Sequence, residues 1–498
     1  MAVKNNVYRL LPLTLALLCG SAGANVWVFE PSISLDQRFD DNYYLELDSP
    51  STLSATRAVG ELGLSRESQA ASMRGLVRVD GLLTTSNDEA DNDLDSNQIL
   101  AFEAKLRTAR SRYGVYAGFK QDTPSRDIAA DLSDPGSLAS DTGLDLTESS
   151  DVARREITLM PKFEYDISRR LVFNTEATVT LVDHDKPDAQ DTIYERYLSL
   201  LPRDENGNII GEVLPYDQVT IADAGNVFSP SGELDDYREA ELELGLRFKL
   251  STITTLTSKV SLSRFNANVV VDPYAIVPFE NLSADPNESG IRRRPRRDSI
   301  STTSKFELGY ERFLTETLQL GVSGGVYVNT TDTTDTLRAD DRPGEQIPAD
   351  RLDPLKSDND GWLASVSLSK DAGQTRYTGR FAVDVQPSSV GTQVETQELT
   401  GDVFHVLSPR INLSMRGRAY EPDRLAAKET DRFARRFISI EPKIEWYYTR
   451  NWTVSAAYRY RRQKARVDPV SAESNAVLFS IKYTPPSEVR DAARANGL

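Results

Sequence analysis

The chain runs in segments of about ten residues in which apolar and polar side chains alternate one for one, the period of an extended strand whose two faces meet different surroundings. Ala240, Leu242, Leu244, Leu246, Phe248 and Leu250 alternate with Glu239, Glu241, Glu243, Gly245, Arg247 and Lys249. Trp452, Val454, Ala456, Tyr458 and Tyr460 alternate with Thr453, Ser455, Ala457, Arg459 and Arg461. Ile157, Leu159, Phe163 and Tyr165 oppose Glu156, Thr158, Lys162 and Glu164 in the same way, and Ile438, Ile440, Ile444 and Trp446 oppose Ser439, Glu441, Lys443 and Glu445. A sheet whose second face is charged has no packed core to offer a sandwich. Closed on itself, it can turn the apolar face to lipid and the charged face to a lumen. The pattern therefore predicts an all-β fold, a transmembrane antiparallel up-and-down β-barrel.

About eighteen strands are expected, with a range of roughly 16 to 20, an even number as single-chain bacterial barrels have. They lie near 26–35, 55–65, 72–85, 98–107, 111–121, 153–165, 171–183, 237–250, 255–268, 299–312, 318–330, 361–371, 376–385, 394–407, 411–420, 435–448, 451–462 and 474–483. Short connections such as 166–170, 314–317, 372–375, 408–410 and 449–451 close hairpins, and long ones, near 86–97, 122–152, 184–236, 269–298 and 331–359, fall between them. This asymmetry places short turns in the periplasm and long, acidic loops at the cell surface. Tyr165, Tyr310, Phe313, Tyr377, Trp446, Tyr447, Tyr448 and Trp452 cluster beside the short turns, the expected aromatic girdle.

The N-terminus adds the compartment. Lys4 and Arg9 form a basic region, Leu10 to Cys19 an apolar stretch, and Ala22-Gly23-Ala24 a cleavage site of the A-x-A kind, so residues 1–24 read as a secretory signal peptide. The barrel then occupies 25–483 and a periplasmic tail 484–498. Composition excludes several classes. A net charge of −17 disfavours binding to nucleic-acid phosphates. One Cys and two His leave little for thiolate, zinc or haem chemistry, and no cofactor is expected. No stretch after the signal reaches the roughly 18 to 20 apolar residues of a membrane helix. No plug-sized segment precedes the first strand, unlike a TonB-dependent transporter.

Several short stretches resemble uncharacterised proteobacterial outer-membrane β-barrel proteins associated with exopolysaccharide and exosortase (PEP-CTERM) loci. They are Trp27 to Leu35 followed by Asp40 to Leu45, Asp95-Ser96-Asn97-Gln98, Asp141-Thr142-Gly143, the turn from Tyr165 to Arg170, and Ser474 to Val477. The resemblance implies the Gram-negative outer membrane and the barrel fold. It brings polysaccharide and lipopolysaccharide into view as partners, but no catalytic chemistry. In the last strand Val477, Phe479, Ile481 and Tyr483 alternate as the barrel assembly machinery requires, while Leu478 stands where a Gly is usual.

Candidate chemistry follows from the faces. A barrel of this size leaves an interior too wide for side chains to fill. Glu156, Lys162, Glu164, Arg247, Lys249, Lys305, Glu307, Glu311, Arg416, Arg418, Glu441, Lys443, Glu445, Arg459 and Arg461 form the expected lumen-lining set. Two roles stand open for them: cross-strand pairs that brace the wall, or a field that orients solutes along a pore. Asp88, Glu89, Asp91, Asp93 and Asp95 start like a calcium loop, but Ser96 replaces its Gly and Phe102 its closing Glu. They read as solvated surface or as a loose bridge for divalent cations. Arg292, Arg293, Arg294, Arg296 and Arg297 form either a solvated loop or a polyanion contact for lipopolysaccharide phosphates. His184 and His405 have no nucleophile motif beside them, and no G-x-S-x-G occurs, so no enzyme is expected. Two functions remain: a pore or conduit, including export of surface polysaccharide, or a structural or adhesive barrel with an occluded lumen and partner-binding loops. An epitope inserted at Gly207 is expected to be labelled on intact cells, and one at Thr315 only after permeabilisation. The reverse labelling overturns the orientation.

Overall fold

A computed structural model describes residues 27–42, 52–86, 93–122, 154–184, 236–270, 275–276, 291–292, 296–336, 355–387, 393–424, 435–465 and 471–485. The strands are β1 (Val28–Asp40), β2 (Leu53–Glu67), β3 (Ala71–Ser86), β4 (Asp93–Arg107), β5 (Ser111–Asp122), β6 (Arg154–Asp166), β7 (Leu171–His184), β8 (Asp236–Lys249) and β9 (Thr254–Val270). After a two-residue bridge of β10 (Ala275–Ile276) with β11 (Ile291–Arg292) come β12 (Arg296–Phe313), β13 (Leu318–Thr336), β14 (Leu355–Ala372), β15 (Thr375–Pro387) and β16 (Gln393–Ser408). The last four are β17 (Ile411–Arg424), β18 (Arg435–Tyr447), β19 (Trp452–Ala465) and β20 (Ser471–Tyr483).

All strands except β10 and β11 join one 18-stranded sheet. Each pairs antiparallel with its neighbour in sequence; β9 pairs with β12, and β20 returns to β1 from Ile33↔Tyr483 to Asp40↔Ala476. The sheet is thus closed, with no free edge among these strands. Closure explains how the fold lives in lipid, where every backbone N–H and C=O must find a partner within the protein. Side chains on the outward face confirm the surroundings. Leu242, Leu244 and Leu246 on β8, Phe306 and Leu308 on β12, and Ile438, Ile440 and Ile444 on β18 are all left open outward, an apolar face with no protein against it. A closed antiparallel barrel with such a face belongs in the Gram-negative outer membrane.

Two imino acids interrupt the ladder. Pro442 has no N–H to donate, and the pairing of β18 with β19 passes from Ile440↔Tyr460 to Lys443↔Ala457. Pro161 leaves the same gap between β6 and β7, from Leu159↔Val179 to Lys162↔Glu176. The tightest hairpin, Ala372–Thr375, turns at Gly373, whose φ of 73° is the left-handed region that a side chain disfavours.

The short connections expected from the sequence are all turns, whereas several strands run further than expected. β1 continues to Asp40 and not Leu35, β13 to Thr336 and not Thr330, β14 starts at Leu355 and not Gly361, and β4 starts at Asp93 and not Gln98. Every extension lies at the end of the long connections. Spanning takes about 9–11 residues per strand, while the barrel strands run from 12 residues in β5 to 19 in β13. The surplus stands above the apolar band, where the outward face no longer needs grease and the alternation fades. The signal segment 1–24, the tail beyond residue 485 and most of the long connections lie outside the described residues.

The faces assign opposite tolerances to neighbouring residues of β8. Leu244→Arg puts a charge on the outward face near the middle of the span, and is expected to cost about 2–4 kcal/mol of barrel stability. Glu243→Gln, on the inward face, is expected to leave folding intact. Heat-modifiable migration and urea midpoints compare the two; equal damage means that the faces are reversed.

Candidate functional site

The inward face carries the charges. Glu156 and Glu164 on β6, Arg247 and Lys249 on β8, Lys305 and Glu307 on β12, Arg416 and Arg418 on β17, Glu441 and Glu445 on β18, and Arg459 and Arg461 on β19 all alternate with exposed apolar neighbours, so they point away from lipid. Lys162 and Lys443 share the same rows. Most are held in pairs. Lys162 Nζ lies 2.9 Å from Glu176, Arg416 Nε 2.8 Å from Asp402, Arg418 Nε 2.6 Å from Glu398 and Lys443 Nζ 2.7 Å from Glu445. Arg112 holds both Glu164, at 3.1 Å, and Asp166, at 2.7 Å. Glu307 faces Lys259 across the β9–β12 ladder.

The set does not share one environment, as a simple water-lined pore requires. Toward the short turns Lys162, Arg247 and Lys249 are exposed, while toward the long connections Glu156, Glu441, Arg459 and Arg461 are buried. Arg459 is 0% exposed and reaches Glu441 at 2.5 Å. Packed polar neighbours cover these four, an arrangement of the cross-strand bracing kind. Around the same level Ser261, Ser263, Ser301, Thr303 and Asn329 are buried too, with Thr303 Oγ1 donating to Asn329 Oδ1 at 2.8 Å and Asn329 Nδ2 donating to Thr331 Oγ1 at 3.1 Å. On β5 and β6, Arg154 donates twice to Asp122, at 3.0 and 2.7 Å. A belt of buried, mutually bonded polar side chains thus rings the long-connection half of the interior.

Two parts of the belt were not legible as sites. At the closing seam Asp40 of β1 accepts from Arg461 Nη2 at 2.9 Å and from Ser474 Oγ at 2.7 Å, and is paired with Arg38. Beside it Asp80 of β3 accepts from Arg57 Nε at 2.6 Å and from Asn97 Nδ2 at 3.3 Å. The signal for the first group is the continued alternation of Asp36, Arg38 and Asp40 with Leu35, Gln37 and Phe39. The second part joins strands that are not neighbours. Lys305 of β12 reaches across to β15, donating to Asp384 Oδ1 at 2.7 Å and to the Val385 carbonyl at 2.6 Å, and Tyr327 of β13 donates to Glu395 of β16 at 2.8 Å. Tyr327, Leu363 and Val385 form a small apolar cluster beneath these bridges. The Tyr327 ring lies where a Cβ on Gly361 would stand, only 2.6 Å away, so that glycine makes room for it. The bridges tie together strands three apart across the inward face.

Other candidates resolve less. Arg296 and Arg297 open β12 opposite Thr336 and Asp335, and Arg292 lies in the β10–β11 bridge; Arg293, Arg294 and the side chains of the run fall outside the described residues. Asp93 and Asp95 belong to β4, and Asp88, Glu89 and Asp91 lie outside. His405 Nδ1 is 2.8 Å from Thr375 Oγ1, a cross-strand contact in the wall. Among the described residues no group of His, Cys, Asp and Glu is placed to hold a metal ion. The girdle aromatics Trp446 and Tyr448 stack edge to face at 5.2 Å, and Trp452 meets Tyr483 at 4.8 Å, all at the short-turn end.

No described protein family matches the chain, and no curated protein matches its sequence. Among solved structures it is similar to Pseudomonas aeruginosa OccK5 (OpdH), at 10% identity and a TM-score of 0.37, with 92% of this chain and 99% of that one covered. It is similar also to Pseudomonas aeruginosa OpdK crystallised with vanillate, at 8% identity and a TM-score of 0.39 over 92% and 98% of the chains. The ferric-catecholate import receptor Fiu of E. coli K12 matches at 10% identity and a TM-score of 0.39 over 91% of this chain and 81% of that one. These are likenesses of outline, and the barrel stands on its own closed ladder.

The belt and the wet half should respond differently to loss of one acid. Asp40→Asn strands two buried guanidinium groups and is expected to cost about 3–5 kcal/mol. Glu176→Gln, whose partner Lys162 is half-exposed, is expected to cost less than about 1 kcal/mol. Urea unfolding of the detergent-solubilised barrel measures both, and equal losses contradict a buried belt.

Proposed function

We propose that the protein is an outer-membrane pore or conduit, and that the solute it passes is a surface polysaccharide in export. The carrying observation is the charged, half-wet inward face of an 18-stranded closed barrel. Eight strands already enclose a filled interior, and 16 to 18 leave an aqueous channel. Fixed charges of both signs in that channel set a local field for passing solutes. The polysaccharide reading draws its support from the sequence resemblance alone. Among the described residues the inward charges are largely taken up in ion pairs, which favours a transport role over a chemical one.

A second reading has its own observation. Packed polar side chains cover Glu156, Glu441, Arg459 and Arg461 in the long-connection half, which favours a structural or adhesive barrel that stays shut. The two diverge in planar bilayers. An open conduit is expected to conduct, and Arg247→Gln with Lys249→Gln, at the exposed short-turn end, is expected to shift selectivity toward cations by removing fixed positive charge. The shift is expected to shrink in about 1 M salt, where the screening length falls to roughly 3 Å. Silence from a folded, heat-modifiable sample overturns the conduit in favour of the shut barrel.

A further inference from the structure

The outward face is not apolar to its ends. On β6, β8 and β9 the row of exposed aliphatic side chains is capped, at the next outward position toward the long connections, by an exposed arginine. Arg155 follows Leu159 and Ile157, Arg238 follows Leu242 and Ala240, and Arg264 follows Val260 and Leu262. The other ends of the same rows carry Tyr165, Phe248 and Leu256, with no cation among them. The arginines therefore mark one boundary of the lipid-facing band, the outer one in a barrel with this loop asymmetry.

Two of these cations have no acid of their own. Arg436 and Arg462, outward on β18 and β19, are held by Glu421 at 2.8 Å and Glu473 at 3.5 Å. Among the described residues Arg238 and Arg264 engage no carboxylate and no other acceptor. Arg238 stands opposite Asn266, and Arg264 opposite Ala240. The two arginines are thus diagonal neighbours, about 7–8 Å apart across the ladder, with the Asn266 amide beside both. Asp183, opposite Arg155, and Asp236, two positions beyond Arg238, are the outward acids nearby, so three guanidinium groups meet two carboxylates. A guanidinium at the edge of hydrocarbon, with its acid missing from the chain, calls for an anion from outside it. Its planar fork suits the oxygens of a phosphate. Directly beneath, Leu242, Leu244 and Leu262 offer an aliphatic surface to acyl chains. We propose that Arg238, Arg264 and Asn266 hold a phosphate of a phosphorylated glycolipid of the outer leaflet, its acyl chains lying along those leucines. The site is separate from the arginine run at 292–297 and from the lumen, and stands whether or not the barrel conducts.

Native mass spectrometry of the full-length barrel in detergent tests it with bisphosphorylated lipid A, the same lipid without its phosphates, phosphatidylethanolamine, and inorganic phosphate as a competitor. The phosphorylated lipid A is expected to bind about tenfold more tightly than the dephosphorylated form, the scale of charge-assisted bonds to one phosphate. Arg238→Gln combined with Arg264→Gln is expected to erase that preference, and Arg436→Gln, on the far side of the barrel, to keep it. Excess inorganic phosphate is expected to leave the lipid bound, since it brings no acyl chains. Equal binding of the two lipid A forms overturns the proposal, as does equal loss from Arg436→Gln, which reduces the effect to overall charge. Displacement by inorganic phosphate, or phosphatidylethanolamine bound as tightly as lipid A, overturns the glycolipid as occupant. Both arginines are exposed, so the double variant is expected to migrate as a heat-modifiable barrel; the two lipid A forms on the unmodified protein decide the matter even where it does not. Failure of this site leaves the conduit reading as it stands, and silence in bilayers leaves the site.

Discussion

Everything in this molecule follows from the need to leave no backbone group unpaired in lipid. A strand that ends a sheet exposes a row of donors and acceptors, and hydrocarbon has no water to satisfy them. The only remedy is for β20 to find β1, as it does from Ile33 to Asp40. Once closed, the sheet has an inside and an outside that alternate residue by residue. The outward leucines and isoleucines, the inward charges and the even strand number are all consequences of that closure.

Closure also creates a difficulty, because the inward face must hold charges where little water reaches. The wet half meets it cheaply: pairs such as Lys162 and Glu176 sit partly in solvent and brace the wall with modest energy. The belt meets it by gathering donors around its acids, most fully at Asp40 and Asp122. Asp40 binds Arg38, Arg461 and Ser474 together. Asp122 is gripped by both ends of the Arg154 guanidinium. Such clusters are rigid, since a group that leaves strands its partners.

The apolar rows were legible in the sequence because lipid favours the period over the span: Leu242, Leu244 and Leu246 could face nothing else. Hairpin turns were legible for a related reason, since residues 314–317 or 409–410 interrupt the rows abruptly. Strand ends above the membrane were not. Thr331 to Thr336 is polar at every position, so nothing in its pattern distinguishes a strand from a loop, yet it pairs with β12 throughout. The inward charges could be assigned a face but not an environment. Whether Arg459 meets water or Glu441 depends on the curvature of the wall and on neighbours distant in sequence. Lys305 and Asp384 lie three strands apart, and no period along the chain announces that they meet.

The seam carries a consequence for how the chain is made. Asp40 lies in the first strand, and its partner Ser474, in the last, is separated from it by 434 residues. The neighbouring backbone bond from Asp41 to the Asn475 carbonyl is as remote. The hairpin with β2 holds one edge of β1 locally, but until β20 is present the other edge must be kept from other strands, including those of other copies. The loop-closure entropy of that final contact falls due before any of its bonds form. Joining the two strands is therefore an all-or-nothing last act. A chain arriving without its final strand would leave one edge of β1 unpaired, which gives quality control a clear mark by which to tell unfinished barrels from finished ones.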